Sequence, residues 1–353
     1  MLAVSALFDG LVGQPLAVHL LDAALQHKRI APAYLFAGPD GVGRRLAALR
    51  FLEGVLSEGA GCERARRRLE ARNHPDLVWI EPTFQHQGRL LTRDEAVDAG
   101  VSRRTPPQLR LEQIRGVSRA LARQPVESTR GMVVIESAEA MAEAAANALL
   151  KTLEEPGHGL LILLTAAPER LLSTIRSRCQ LIRFVRLDVA SVAQVLHRLD
   201  AVEHDPPELL AMAAGSPGAL LDHRSRWAAL PTELMPRILQ LPKEPMHALA
   251  LARDVCEALD GEQQLWLIDW WQQALWAASG DVHSLKRLET LRRHLLSFVQ
   301  PRLAWEVALL DLTTDANAAL AYEFLGGCAV ALLFALFPSK RHHIIELSTG
   351  GKL

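Results

Sequence analysis

At 353 residues and 49% hydrophobic content, the chain is long enough for two or three domains with true cores. A formal net charge of −1 excludes a polycation that coats nucleic acid over its whole surface and leaves room only for local basic faces. Cys62, Cys179, Cys256 and Cys328 stand far apart with no Cys-x-x-Cys pair, which argues against a disulfide framework and against a zinc ribbon.

The stretch from Met1 has no basic residue ahead of its apolar residues and is cut short by Asp9. It does not read as a signal peptide, so a reduced, cytoplasmic setting is expected. Leu16, Leu20, Leu21, Ala24 and Leu25 then recur at a helical period, and Ala33 to Ala37 reads as the first strand.

Strand one runs into a glycine loop and out into a helix from Gly43 to about Leu56. Gly38 and Gly43, with Gly41 between them, stand at the spacing of a phosphate-binding P-loop. That motif needs a Lys after its last Gly to reach the outer phosphates, then a Ser or Thr whose hydroxyl holds Mg²⁺. Arg44 and Arg45 occupy those places. Arg44 keeps the charge in a bulkier planar fork, and Arg45 puts a cation where a metal belongs. The loop is either a degenerate nucleotide cradle or a glycine turn joining a strand to a helix.

A basic run follows, Arg64, Arg66, Arg67, Arg68 and Arg72, read as a solvated helix face or a phosphate contact. A second strand is expected at Leu77 to Ile80. From Glu81 to Arg110 the periodicity fails, and a long surface insertion is expected there.

A helix over Leu111 to Arg123 carries Ile114, Val117 and Leu121 on one face, and a strand follows at Met132 to Ile135. The next helix runs through Met141, Ala145, Leu149 and Leu153 and stops at Pro156-Gly157. Leu160 to Thr165 suits a strand buried on both faces. Pro168 opens a helix reaching Arg176, and Leu181 to Val185 reads as the last strand. Strands alternating with helices at this spacing imply a mainly parallel, three-layer α/β domain.

Beyond Leu187 the strand signals vanish. Short helices are expected around Val192 to Leu199 and Leu209 to Ala214, broken at Gly215-Ser216-Pro217-Gly218, and the chain is wholly helical from Pro231. Trp266, Trp270, Trp271 and Trp276 at helical spacing suit a packing core or a subunit contact rather than a ligand site. Phe324 to Phe337 carries no charge but is too short for the about 20 residues of a membrane-crossing helix. It reads as a buried or interface helix, with a membrane-tethered adaptor as the alternative that Lys340 and Arg341 leave open.

The strand ending at Ile135 is followed by Glu136 and Ser137, where a P-loop ATPase carries an acid for Mg²⁺ and a Glu to polarise the attacking water. Glu136 retains a metal-binding group, but the Ser137 hydroxyl is no general base near neutral pH. Thr165 ends the next strand, as a γ-phosphate sensor or as a cap for the helix near Pro168.

The run from Ala144 through Lys151-Thr152-Leu153-Glu154-Glu155-Pro156, followed by Thr174-Ile175-Arg176-Ser177-Arg178-Cys179, resembles the clamp-loader branch of the AAA+ ATPases. Within that branch the chain is most similar to the delta-prime family of bacterial DNA polymerase III. Leu11-Val12-Gly13-Gln14, Asn73-His74-Pro75-Asp76 and Gln300-Pro301-Arg302-Leu303-Ala304 carry further likeness. Residues 11–187 match strongly, 188–312 loosely.

The resemblance implies an AAA+ P-loop α/β domain over 1–187, a helical lid over 188–228 and an all-α collar over 229–316. The extension 317–353 has no assigned role. It implies an accessory subunit of a DNA-directed DNA polymerase holoenzyme, with little or no ATPase of its own. The implied partners are gamma/tau-type ATPase subunits and a delta subunit in a hetero-pentameric ring. That ring loads the sliding clamp onto primed DNA during replication, with no membrane involved.

In this family Ser177-Arg178-Cys179 corresponds to a motif that projects an arginine finger into a neighbour's ATP site, Arg178 being the finger. A surface cation beside a buried Cys179 is the plain alternative. Arg115 corresponds to a DNA-backbone contact or is simply solvated. The four-cysteine zinc module of relatives is reduced to Cys62, so zinc is expected absent, and no cofactor is required, whether or not ATP or ADP still enters the loop. The sensor Arg of active relatives is missing from Gly215 to Leu220. The competing reading is a self-sufficient gamma/tau-type ATPase in which Arg44 replaces the P-loop Lys.

Overall fold

The computed structural model describes residues 6–59, 61–99, 106–155, 157–241, 244–297 and 299–313. The chain divides into two compact units, residues 1–229 and 230–353.

In the first unit, strands β1 (Ala33–Ala37), β2 (Leu77–Ile80), β3 (Phe84–His86), β4 (Arg89–Leu91), β5 (Met132–Ile135), β6 (Leu160–Thr165) and β7 (Gln180–Arg183) are formed. Five of them make a parallel sheet in the order β2-β5-β6-β1-β7, and β3 and β4 make an antiparallel hairpin. Tyr34 and Phe36 turn to one face with Met132, Val134, Leu160, Ile162, Leu164 and Ile182. Ala33, Leu35 and Ala37 turn to the other with Val133, Ile135, Leu161 and Leu163. Period-two alternation with both faces covered is why the central strands read as unbroken apolar runs.

Helices α1 (Pro15–Gln26) and α2 (Arg44–Leu56) supply residues to the first face, with α3 (Glu63–Glu70) beside α2. The second face is covered by α5 (Leu111–Leu121), α6 (Glu143–Glu154) and α7 (Ser173–Arg176), while α4 (Arg93–Asp98) follows the hairpin. Residues 188–228, expected to form a lid, contribute α8 (Val189–Arg198), α9 (Pro207–Ala213) and α10 (Pro217–Ala228), and share the compact unit of the sheet. Asp188 and Ser216 cap α8 and α10 by accepting from Ser191 N and Ala219 N, and Pro217 at N1 presets the second of these helices.

The described part of the second unit is helical: α11 (Leu234–Leu239), α12 (Pro245–Ala258), α13 (Gly261–Ser279), α14 (Val282–Leu296) and a helix over 301–313. Trp266, Trp270 and Trp271 are buried in it, as the packing-core reading expects, whereas Trp276 is 58% exposed. Trp305 Nε1 donates to the buried Gln264 Oε1 at 3.0 Å, satisfying an indole N–H inside the core.

Three expectations change. The segment Glu81 to Arg110 is not without order: Gln87 and Gly88, at φ 47° and 78°, form a tight turn between β3 and β4. The helix expected from Pro168 to Arg176 is interrupted, because Leu171 and Leu172 are extended between a 3₁₀ turn at Pro168–Arg170 and α7. The last strand ends at Arg183 rather than Val185, because the Gln14 side chain takes the backbone of Val185 on both sides, accepting from its N–H at 3.0 Å and donating to its carbonyl at 2.7 Å. Among the described residues no helix is long and apolar enough to cross a membrane; Phe324 to Phe337, Lys340 and Arg341 lie outside the described residues.

Candidate functional site

The glycine loop leaves β1 at Gly38, whose N–H donates to the Thr165 carbonyl at 3.1 Å, and enters α2 through Gly43 at φ +102°. A Cβ at Gly43 would lie 2.6 Å from Leu11 Cδ1. Gly41, at φ +73°, meets the lid: its carbonyl accepts from Gly218 N at 3.0 Å, and a Cβ there would lie 2.5 Å from both Ala219 N and Ser216 Oγ. Ser216 Oγ also donates to the Asp40 carbonyl at 2.6 Å. The Ser216-to-Ala219 corner of the lid is therefore seated directly on the loop.

Asp40, Gly41, Gly43, Arg44, Arg45, Glu136, Ser137 and Leu164 line one cavity of about 310 Å³. The two stations expected to hold nucleotide chemistry are thus brought together, but their charges are spent on each other. Arg44 is buried and forms an ion pair with Asp40, four residues before it in the glycine loop. Arg45 Nη1 lies 3.9 Å from Glu136 Oε1, and its guanidinium is 5.4 Å from the Trp79 ring centre. Ser137 turns the chain in the left-handed region at φ 47°, its carbonyl accepting from Ala140 N. Thr165 is fully buried, with Oγ1 accepting from Ala167 N at 3.2 Å, so the hydroxyl tightens the turn after β6 and does not line the cavity.

Ser177, Arg178 and Cys179 stand on different elements from the loop. Ser177 Oγ and Arg178 Nη1 both donate to the Thr174 carbonyl, at 3.2 and 3.1 Å, which fixes the end of α7. Arg178 Nη2 donates to Glu154 Oε1 at 2.9 Å, and both side chains reach solvent, at 37% and 53% exposure. Cys179 packs against the second core face, and burial pushes its thiol up to about 12. A thiol held neutral in this way is a packing group rather than a nucleophile.

Arg115 is exposed on α5 and shares a groove between α5 and α6 with Arg119 and Lys151. The basic run meets acids of this chain: Arg66 binds Glu53, Arg67 binds Glu63, Arg68 binds Glu127 and Arg72 binds Glu81. Asp40, Arg72 and Trp79 belong to the site without lying in a stretch that carries the family resemblance, whereas Glu154 and Ser216 lie in stretches that do.

Residues 13–188 match the family described as DNA polymerase III, delta subunit, and residues 190–312 match the family described as cyanobacterial DNA polymerase III delta prime, C-terminal domain. DNA polymerase III subunit delta' of Bacillus subtilis is 32% identical over 197 residues, covering 54% of this chain and 53% of that protein. The delta' subunit of Pseudomonas aeruginosa is 35% identical over 208 residues, covering 56% of each. The tau subunit of Bacillus subtilis is 30% identical over 213 residues, 59% of this chain and 35% of that protein. The chain thus spans about half the length of the delta' relatives it matches.

Proposed function

The chain belongs to the DNA polymerase III delta-prime family, and from that premise we propose that it is a non-hydrolysing clamp-loader subunit that lends Arg178 to a neighbour's nucleotide. One contrast carries this reading. The charged groups lining its own cavity are paired with one another, whereas Arg178 lies outside that cavity, paired with Glu154 where solvent reaches both side chains. Charge builds on the γ-phosphate oxygens during phosphoryl transfer, and an arginine supplied in trans accelerates that step by about 10³ to 10⁵. An exposed Glu154 pair, worth about 1 kcal/mol or less, yields readily to a phosphate.

The same geometry weighs against a self-sufficient ATPase. Arg44 is held by Asp40 instead of reaching across the cavity, and Ser137 offers no base. The partners in this reading are gamma/tau-type ATPase subunits and a delta subunit, acting on a sliding clamp and primed DNA in the cytoplasm. Arg115, with Arg119 and Lys151 beside it, would meet DNA phosphates without reading sequence.

Reconstitution with gamma/tau-type and delta subunits tests the reading. Clamp loading onto primed DNA is expected with the wild-type chain and lost with Arg178→Ala; full loading by the variant would refute the role of Arg178.

A further inference from the structure

Glu136 is the acid that a P-loop site would offer to Mg²⁺, and the hydroxyl completing the metal site would come from position 45. Here Glu136 is already enclosed by donors of this chain. Trp79 Nε1 donates to Oε2 at 2.9 Å, Arg72 Nη2 lies 3.5 Å from the same oxygen, and Arg45 Nη1 approaches Oε1 at 3.9 Å. The guanidinium carbons of Arg45 and Arg72 lie 5.4 and 5.1 Å from the Trp79 ring centre, within cation–π range. Arg72 is anchored in turn by Glu81, through Nη1 and Nη2 at 3.1 and 3.3 Å. Asp40, the other carboxylate lining the cavity, is matched by Arg44.

A hard divalent ion needs oxygen ligands and a net negative surrounding. This cavity offers two carboxylates, each paired with a guanidinium, and an arginine at the position from which the hydroxyl ligand would come. The residues present do not fit Mg²⁺. We infer that Arg45 is a tethered cation standing in the metal's place, so that the cavity between the glycine loop and Glu136 refuses Mg²⁺ and Arg45 is the residue that decides it. Any nucleotide reaching the loop gains nothing from the metal. This deepens the non-hydrolysing reading, because a P-loop without its ion lacks the charge that bridges the β- and γ-phosphates.

The test uses Mn²⁺ as a hard-cation probe, titrated into the full chain and followed by the electron paramagnetic resonance signal of the free ion. The wild type is expected to show no specific site. Arg45→Thr, which supplies the hydroxyl, and Arg45→Gln, which drops the charge but keeps a polar side chain, are each expected to gain Mn²⁺ affinity by about tenfold or more. Adding Glu136→Gln should abolish the gain in both. Arg45→Gln keeps the test decisive if a melting curve shows that Arg45→Thr has unfolded. Wild-type binding as tight as the variants', or no gain in the folded variants, would overturn the inference. The readout is metal occupancy, so it stands or falls separately from the role of Arg178.

Discussion

Arg178 Nη2 donates to Glu154 Oε1 at 2.9 Å, joining the end of α7 to the end of α6 across an exposed gap. This pair and the Thr174 carbonyl hold the guanidinium without burying it. An ion pair this open contributes about 1 kcal/mol or less to stability. Glu154→Gln is therefore expected to leave the thermal midpoint of the isolated chain nearly unchanged. A fall of many degrees would mean that the pair is a structural tie and not a resting place.

Asp76, from the Asn73-His74-Pro75-Asp76 motif, organises the turn before β5. Its carboxylate accepts from Val126 N at 2.6 Å, Glu127 N at 2.9 Å, Ser128 N at 2.8 Å and Ser128 Oγ at 2.9 Å. Burial pushes this carboxyl up, but the three backbone N–H groups and the hydroxyl outweigh it and hold the group at about 2, against an ordinary 3.8. Because the folded value lies below the unfolded one, the stabilisation is complete above the unfolded value and is lost as pH falls through the folded one. Urea unfolding should find Asp76→Asn less stable by about 2 kcal/mol at neutral pH. The difference should shrink between about pH 4 and pH 2, and a pH-independent difference would contradict the assignment.

Glu53 is fully buried on α2 and accepts from Arg66 Nε and Nη2 at 2.9 and 3.1 Å, from Cys62 N at 3.0 Å and from Arg50 Nη1 at 3.3 Å. This clamp ties the start of α3 to α2 through one carboxylate. Removing one partner of a buried pair costs about 3–5 kcal/mol, and partial exposure of Arg66 lowers that toward about 2–3 kcal/mol for Glu53→Ala. Denaturant midpoints measure it; a loss below about 1 kcal/mol would show that the clamp is dispensable. Dialysis against a zinc chelator is expected to leave the wild-type melting curve in place, and a drop would reveal a structural metal.

Gly41 touches the lid where no side chain has room. Gly41→Ala would drive a Cβ to 2.5 Å from Ala219 N and impose φ +73° on an L residue. The expected cost is about 1–3 kcal/mol, with faster proteolysis around Ser216 as the lid lifts. Unchanged stability and protection would mean that loop and lid are not so closely joined.

Much of this arrangement was legible in the sequence, for physical reasons. Ala33–Ala37, Leu77–Ile80, Met132–Ile135 and Leu160–Thr165 are strands where their apolar runs are covered on both faces, and Pro and Gly punctuate the helices around them. The hairpin at Phe84–Leu91 leaves little trace in the sequence because its turn is Gln-Gly rather than the usual Asn-Gly or Asp-Gly. β7 stops short of Val185 because a side chain distant in sequence, Gln14, replaces ladder partners there. Arg45 was conspicuous as a wrong residue in a motif. Its enclosure with Glu136, Trp79 and Arg72 was not, since those residues meet only when β2 and β5 pair beside α2.

The most direct measurement is single-turnover ATP hydrolysis by the complete reconstituted assembly, comparing the wild-type chain with Arg178→Ala under clamp and primed DNA. The account predicts hydrolysis slowed by about 10³-fold or more at the neighbouring site, ATP binding there retained, and no turnover by the isolated chain. Wild-type hydrolysis by the Arg178→Ala assembly, or ATP consumption by the chain alone at a rate comparable to its neighbours', would contradict it.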